Sequence, residues 1–258
     1  RRWECPLPVS PVCNADCVGC LSLQPEGKVP ASHERLSFQP TAEEILEIAV
    51  PHLESAPEAV VSFGQGCEGE PLLQSSFLEG VLRAIRRETS RGVVHINTNA
   101  SHPDAVARLA AAGLDSIRVS LNSAQEEYYG RYYRPRGYGL RDVARSLRTA
   151  VQAGLFTSIN YLTFPGFTDR RSELDHLLAL IRETGFHMIQ WKNLNIDPDL
   201  YESLIGKSGE ERLGMRRMVE EVRKAFPEVA FGYFNRPRAE TISRPKQEER
   251  DPSRGLRT

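Results

Sequence analysis

Three of the chain's five cysteines fall within nine residues, "VCNADCVGC" at 12–20, with Cys13, Cys17 and Cys20 at C-x3-C-x2-C spacing. Thiols this crowded suit a disulfide framework, a zinc site or an iron–sulfur cluster. A disulfide scaffold belongs to small secreted chains with paired cysteines, and five cysteines in 258 residues is neither small nor even. A structural zinc needs four ligands. Cys5 could complete C-x7-C-x3-C-x2-C, but only by bending back from the strand that carries it. The plainer reading of Cys5 is a small buried hydrophobe. A four-iron cluster normally takes four thiolates, so three leave one iron open for chemistry, as catalytic metal sites keep an open position.

The elements that must position this loop alternate along the chain. Strand-like runs are "ECPLPVS" (4–10), "AVVSF" (59–63), "GVVHINTN" (92–99), "SIRVSLN" (116–122), "FTSINYLTF" (156–164) and "HMIQWKNL" (187–194). A seventh, "VAFGYF" (229–234), follows a helix expected over about 210–225. Helical patterns start at Thr41, Leu72, Pro103, Leu140 and Arg170. Thr41 and Glu44 have capping-box spacing, and Gly113, Gly154 and Gly185 sit where left-handed caps are wanted. Strands alternating with helices give parallel βαβ units.

Two parallel architectures compete, an open doubly wound sheet and a barrel. Strands three to six end in polar clusters around Asn97 and Asn99, Ser120 and Asn122, Asn160, and Gln190 with Lys192. A barrel gathers strand ends at one mouth, whereas an open sheet offers one crevice at its switch point. The expected fold is therefore α/β, a partial TIM-type (β/α)6 barrel with parallel strands and outer helices. Residues 1–235 form its core, and 236–258 a flexible polar tail.

The cysteine loop directly follows the first strand, and "CEGEPLL" (67–73) follows the second. In these two motifs the chain resembles the radical S-adenosylmethionine (radical SAM) enzymes, whose signatures are a C-x3-C-x2-C loop after the first barrel strand and a G-G-E-P motif after the second. Glu68 stands where that motif has its first glycine; Gly69, Glu70 and Pro71 match. Gly19 stands where the family usually has an aromatic residue that helps hold the adenine.

The resemblance implies one [4Fe–4S] cluster on Cys13, Cys17 and Cys20, with SAM chelated at the open iron. Reductive cleavage would give a 5′-deoxyadenosyl radical that abstracts hydrogen from a substrate. By the same resemblance Gly69 and Glu70 lie beside the amino group of SAM, and a glycine there permits close backbone approach. Asn97, Asn99, Ser120 and Asn122 are candidate partners of the ribose hydroxyls. Gln190 and Lys192 are candidates for framing the adenine. A flavodoxin- or ferredoxin-like reductant is the implied partner. The substrate is a small molecule or a peptide; a peptide- or protein-modifying, activase-like member is the alternative within the class. A non-catalytic metal-binding module is the alternative outside it.

Two further features call for placement. "YYGRYYRPRGYGLR" (128–141) follows strand four and is expected to overhang the mouth, where Arg134 or Arg136 could grip the SAM carboxylate or an anionic substrate in bidentate fashion. Cys67, three residues before Glu70, is a candidate hydrogen-atom donor or redox thiol. The formal charge of −1 gives no reason to expect general nucleic-acid binding. No apolar run is long enough for a membrane span and the first ten residues lack a signal-peptide core, so a cytoplasmic setting is expected.

Overall fold

A computed structural model describes residues 3–24, 30–206 and 209–236. Seven strands form one sheet: β1 (Glu4–Pro6), β2 (Val60–Phe63), β3 (Val93–Thr98), β4 (Ser116–Leu121), β5 (Phe156–Thr163), β6 (Met188–Asn193) and β7 (Ala230–Phe231). Every pairing is parallel, and the spatial order is the chain order. A doubly wound sheet would reverse its order part-way. This sheet does not, so it curls as a barrel. It stays open between β1 and β7, where Nδ2 of Asn235 donates across the seam to Oε1 of Glu4 at 2.8 Å.

The connecting helices are α1 (Ala42–Ser55), α2 (Ser75–Glu88, entered through a short 3-10 turn at Pro71–Gln74), α3 (Pro103–Ala112), α4 (Glu126–Tyr133), α5 (Leu140–Gln152), α6 (Arg171–Thr184), α7 (Pro198–Ile205) and α8 (Met215–Ala225). The expected capping box closes on α1: Thr41 Oγ1 accepts from Glu44 N, and Glu44 returns a carboxylate oxygen to Thr41 N. Gly113 and Gly185 end α3 and α6 at positive φ, the conformation a side chain would strain.

Two helices depart from the expected pattern. The 128–141 stretch begins inside α4, which buries Tyr129, Tyr132 and Tyr133. The helix α7 is not among the expected helical patterns, although Asp197 caps it and Pro198 occupies its first turn. The proposed tail from residue 237 onward lies outside the described residues.

The strands divide their faces cleanly. Val61, Phe63, Val94, Ile96, Ile117, Val119, Ile159, Tyr161 and Ile189 join the core under the helices. Successive strand residues point to opposite faces. Ser62, His95, Asn97, Ser116, Arg118, Ser158, Asn160 and Gln190 therefore point into the lumen. TIM-barrel interiors are ordinarily packed with branched apolar side chains; this one is polar.

Candidate active site

The cysteine loop has almost no regular structure, so other elements must hold it. After β1 the backbone of Ser10 and Val12 accepts from Gly69 N at 2.6 Å and Glu70 N at 2.8 Å, joining it to the loop after β2. On its other side it lies against the residues that end α4. Val18 N donates to Tyr132 O at 3.0 Å, Arg136 N donates to Asn14 O at 2.9 Å, and Ala15 bridges Pro135 antiparallel. Arg136 adds its guanidinium, which donates to the Cys13 carbonyl at 2.6 Å and pairs with Asp16 at 3.2 Å. The 128–141 segment thus clamps the cysteine loop instead of overhanging the mouth, and Arg136 serves that clamp.

Cys13, Cys17 and Cys20 are free thiols, each half-buried. Burial pushes the thiols of Cys13 and Cys17 upward, and in Cys17 the neighbouring Cys13 and Cys20 push the same way. Arg35 answers this charge. Its Nη2 donates to Cys20 Sγ at 3.3 Å while its Nε is held by Ser22 Oγ at 3.0 Å. Ser22 Oγ in turn donates to the Glu68 carbonyl at 3.3 Å. A cavity of about 370 Å³ adjoins Cys17 and Cys20, with Arg35 and the exposed Arg134 in its wall.

The loop after β2 is built on two buried carboxylates. Glu68 gathers four backbone N–H groups: Val9 and Ser10 on one oxygen, at 2.7 and 2.9 Å, and Gly64 and Gln65 on the other, at 2.5 and 3.0 Å. Burial raises its pKa while those donors oppose the rise. The departure from glycine at this position is thus a knot tying the exits of β1 and β2. Glu70 does the same for β3, accepting from Leu72 N, Thr98 Oγ1 and Asn99 N at 2.9, 2.5 and 2.8 Å. Its burial holds it at about 7.

Gly69 is crowded, but by the cysteine loop: a Cβ there would stand 2.0 Å from the Val12 carbonyl oxygen. The close approach expected of this glycine is therefore made to the protein's own backbone. Gly19 is filled in the same sense, since a Cβ would meet Tyr132 Oη at 2.3 Å and the Ile196 side chain at 2.6 Å.

The strand-end asparagines are braces. Asn97 donates to the Phe63 carbonyl and accepts from His95; Asn99 reaches Asn14 of the cysteine loop at 2.8 Å. Asn122 is fully buried against the Tyr128 carbonyl and the Tyr201 hydroxyl. Asn97 and Asn99 thus spend both ends of their amides on the wall, whereas Asn122 Oδ1 has no partner. Ser120 is half-buried on the lumen side of β4. Gln190 is fully buried and turned toward Arg118. Lys192, near the end of β6, lies over the Tyr233 ring at 3.6 Å. Cys67 is half-buried, with its carbonyl accepting from Leu36 N at 2.8 Å.

The Radical SAM superfamily model matches residues 7–180, which include the cysteine loop and the 67–73 loop. The chain belongs to the radical SAM superfamily. Similar curated proteins include a probable GTP 3′,8-cyclase of Methanosarcina acetivorans, 33% identical over 45% of this chain and 34% of its own. Another, from Aeropyrum pernix, is 28% identical over 70% and 48%. The FeMo cofactor biosynthesis protein NifB of Klebsiella pneumoniae is 27% identical over 63% and 37%. The chain spans about a third to a half of the length of these relatives. Among solved structures, the FeFe-hydrogenase maturase HydG of Carboxydothermus hydrogenoformans shares the fold, with TM-score 0.59, 19% identity, and coverage of 92% of this chain and 55% of that one. Streptococcus suis SuiB bound to S-adenosylmethionine matches with TM-score 0.57, 16% identity, and coverage of 90% and 51%.

Members of this superfamily typically bind a [4Fe–4S] cluster and SAM, and the residues of this chain fit the first of these. Among the described residues no three His, Cys, Asp or Glu side chains converge as ligands of a single ion. A four-iron cube makes a different demand, since each thiolate takes its own iron. Three half-buried thiols with a cationic N–H donor on one sulfur supply that donor set.

Sequence reasoning missed Arg35 and Arg118. Arg35 carries no motif and reaches the thiols only because residues 33–36 fold back, with His33 N on Leu21 O and Leu36 N on Cys67 O. Arg118 had a signal: polar residues alternate in "SIRVSLN" and "HINTN", where a parallel strand buried on two apolar sides reads as a continuous apolar run. Among the described residues no helix is long and apolar enough to cross a membrane.

Proposed function

We propose that the chain cleaves SAM reductively on a cluster held by Cys13, Cys17 and Cys20 and directs the resulting radical at a substrate in the barrel lumen. The observation that carries this is the grouping of the three thiols, with the Arg35 donor, in a loop pinned at the carboxyl end of a barrel with a polar interior. Held by Cys13, Cys17 and Cys20, the cluster would supply the single electron that cleaves SAM reductively to methionine and, once a hydrogen atom is taken from substrate, 5′-deoxyadenosine.

The chain's own residues bind and orient. Glu68 and Glu70 fix the two loops against each other, so the backbone at Gly69 and Glu70 is held still where the amino group of SAM would lie. Ser120 and Lys192, near the mouth ends of β4 and β6, would flank the nucleoside. The electron comes from a flavodoxin- or ferredoxin-like reductant. The similarity to cyclases and cofactor-assembly proteins supports a small-molecule substrate over a peptide.

Anaerobic reconstitution with iron and sulfide tests this. The parent protein should load about four irons, show the visible absorption of a cluster, and form 5′-deoxyadenosine and methionine from SAM with dithionite. Cys13→Ala, Cys17→Ala and Cys20→Ala should each lose the cluster while keeping the far-ultraviolet dichroism of the barrel. Full iron and undiminished cleavage in any one of them would overturn the ligand assignment.

A further inference from the structure

The deep wall of the lumen carries a hydrogen-bonded guanidinium beside two unpaired amide atoms. Arg118 on β4 donates from Nη1 to Oε1 of Gln190 on β6 at 3.1 Å. β5 lies between those strands, so the bond passes in front of it on the lumen side. Asn160 of β5 stands there, in register with Ser120 and Gln190. Gln190 is fully buried, yet its Nε2 has no partner, and the Oδ1 of Asn160 has none either. Buried polar atoms are nearly always paired. An apolar side chain at either position would satisfy the barrel as packing alone.

The donors and acceptor form a pattern. The guanidinium is bonded to the very amide whose N–H is unpaired, and one unpaired carbonyl oxygen stands on the strand between them. Arg suits planar or tetrahedral oxyanions because its fork can donate twice. The far side has the opposite sign: at the seam, Glu4 Oε1 accepts from Ser62 Oγ and Asn235 Nδ2, each at 2.8 Å. An anion in the lumen therefore has one favourable wall.

We infer that Arg118, Asn160 and Gln190 form a subsite for an oxyanion, a carboxylate or phosphate, carried by a small-molecule substrate. The anion accepts from the guanidinium and from Gln190 Nε2, and a neighbouring hydroxyl or amino group of the substrate donates to Asn160 Oδ1. The inference rests on the proposed function only in making the lumen the substrate chamber.

Calorimetric titration of the reconstituted holoenzyme with sodium phosphate, and separately with sodium acetate against a chloride control, tests it. One of the two should bind saturably with one site, and which one does separates a phosphate substrate from a carboxylate. Arg118→Gln should weaken that binding by about tenfold or more, and Gln190→Leu by a few-fold. Arg118→Lys, which keeps the charge but not the fork, should fall between, and it covers the case in which Arg118→Gln does not fold. Arg216→Gln, on the outer face of α8, should bind as the parent does. Absence of saturable binding in the parent, or equal binding in Arg118→Gln, would overturn the subsite. So would equal loss in Arg216→Gln, or competition between the anion and SAM, which would give the site to the SAM carboxylate. Failure of the proposed function shows elsewhere, as missing iron or missing 5′-deoxyadenosine.

Discussion

The rim carboxylates and the lumen amides of this barrel are both drawn into the protein, and they are treated in opposite ways. At the rim the carboxylates are saturated. Glu68 holds four N–H groups, Glu70 holds two N–H groups and a hydroxyl, and Glu173 at the start of α6 takes Ser123, Gln125 and Tyr161 at 2.7, 2.5 and 2.9 Å. In the lumen Gln190 and Asn160 keep atoms without partners. The difference separates positioning from binding. A saturated group spends its capacity on the protein and can only hold something else in place; a group with capacity left over is available to a ligand.

The largest expected effect comes from breaking a saturated group. Glu68→Ala strips the partner from four backbone donors at once, and leaving buried donors unpaired costs about 1–3 kcal/mol each before water enters. A loss of about 3–5 kcal/mol in urea unfolding is expected, together with failure of the cysteine loop to load iron. Stability within about 0.5 kcal/mol of the parent would show that the knot is ornamental. Gly69→Val comes next. Its Cβ would overlap the Val12 carbonyl, so the variant should lose about 1–3 kcal/mol and load less iron. Weaker SAM binding with normal iron content would mean that the neighbouring space belongs to SAM and not to the loop.

These cases also show what the sequence made legible. The alternation of strands and helices, the capping box at Thr41 and the parallel order followed from periodicity and local chemistry, which act within a few residues. The candidate ligand triad was legible because its spacing is itself the signal. The braces were not. Asn97 and Asn99 occupy strand ends where ligand contacts were expected, and only the partners that folding brings them, such as Phe63 and Asn14, show that their side chains are occupied. The same holds for α4. Its "EEYYGRYY" reads as loop because Gly130 interrupts it and tyrosine favours strands, but Tyr129, Tyr132 and Tyr133 find buried places beside the cysteine loop. Such partners are set by contacts far apart in the chain, which no local pattern encodes.

A smaller effect sharpens the role of Arg35, a rim residue whose donor faces the cofactor. Hydrogen bonds to cluster sulfurs and nearby positive charge raise the reduction potential. Arg35→Met should therefore lower the midpoint of the cluster by roughly a tenfold change in the reduction equilibrium, about 59 mV for one electron, with iron content unchanged. An anaerobic redox titration followed by electron paramagnetic resonance reads this directly. Arg35→Lys should recover part of the shift. An unchanged midpoint in Arg35→Met would make the residue a packing element alone.

The smallest effect lies in the lumen, where His95 is the exception that resembles the rim. It is fully buried, with Nδ1 2.7 Å from Ser116 Oγ and Nε2 3.1 Å from Asn97 Oδ1. Because Asn97 Nδ2 already donates to the Phe63 carbonyl, its Oδ1 must accept, so His95 carries its proton on Nε2 and takes the Ser116 hydroxyl at Nδ1. Burial, reinforced by Arg118, pushes its pKa down from 6.5 to about 3. Between those values the unfolded chain binds a proton that the native state refuses, so stability should fall as pH drops through that window. Glu70 works with the opposite sign. Its pKa is raised from 4.5 to about 7, so the native state holds the extra proton and stability falls as pH rises through that range. The parent curve therefore mixes two slopes, and the difference between parent and His95→Gln isolates the histidine. Urea midpoints from pH 4 to 7 should converge for the two proteins toward the acid end, since the variant has no imidazole to protonate on unfolding. A gap that stays constant with pH would mean that His95 takes up its proton equally in both states, and a gap that widens toward acid that it is already charged in the native lumen, beside Arg118.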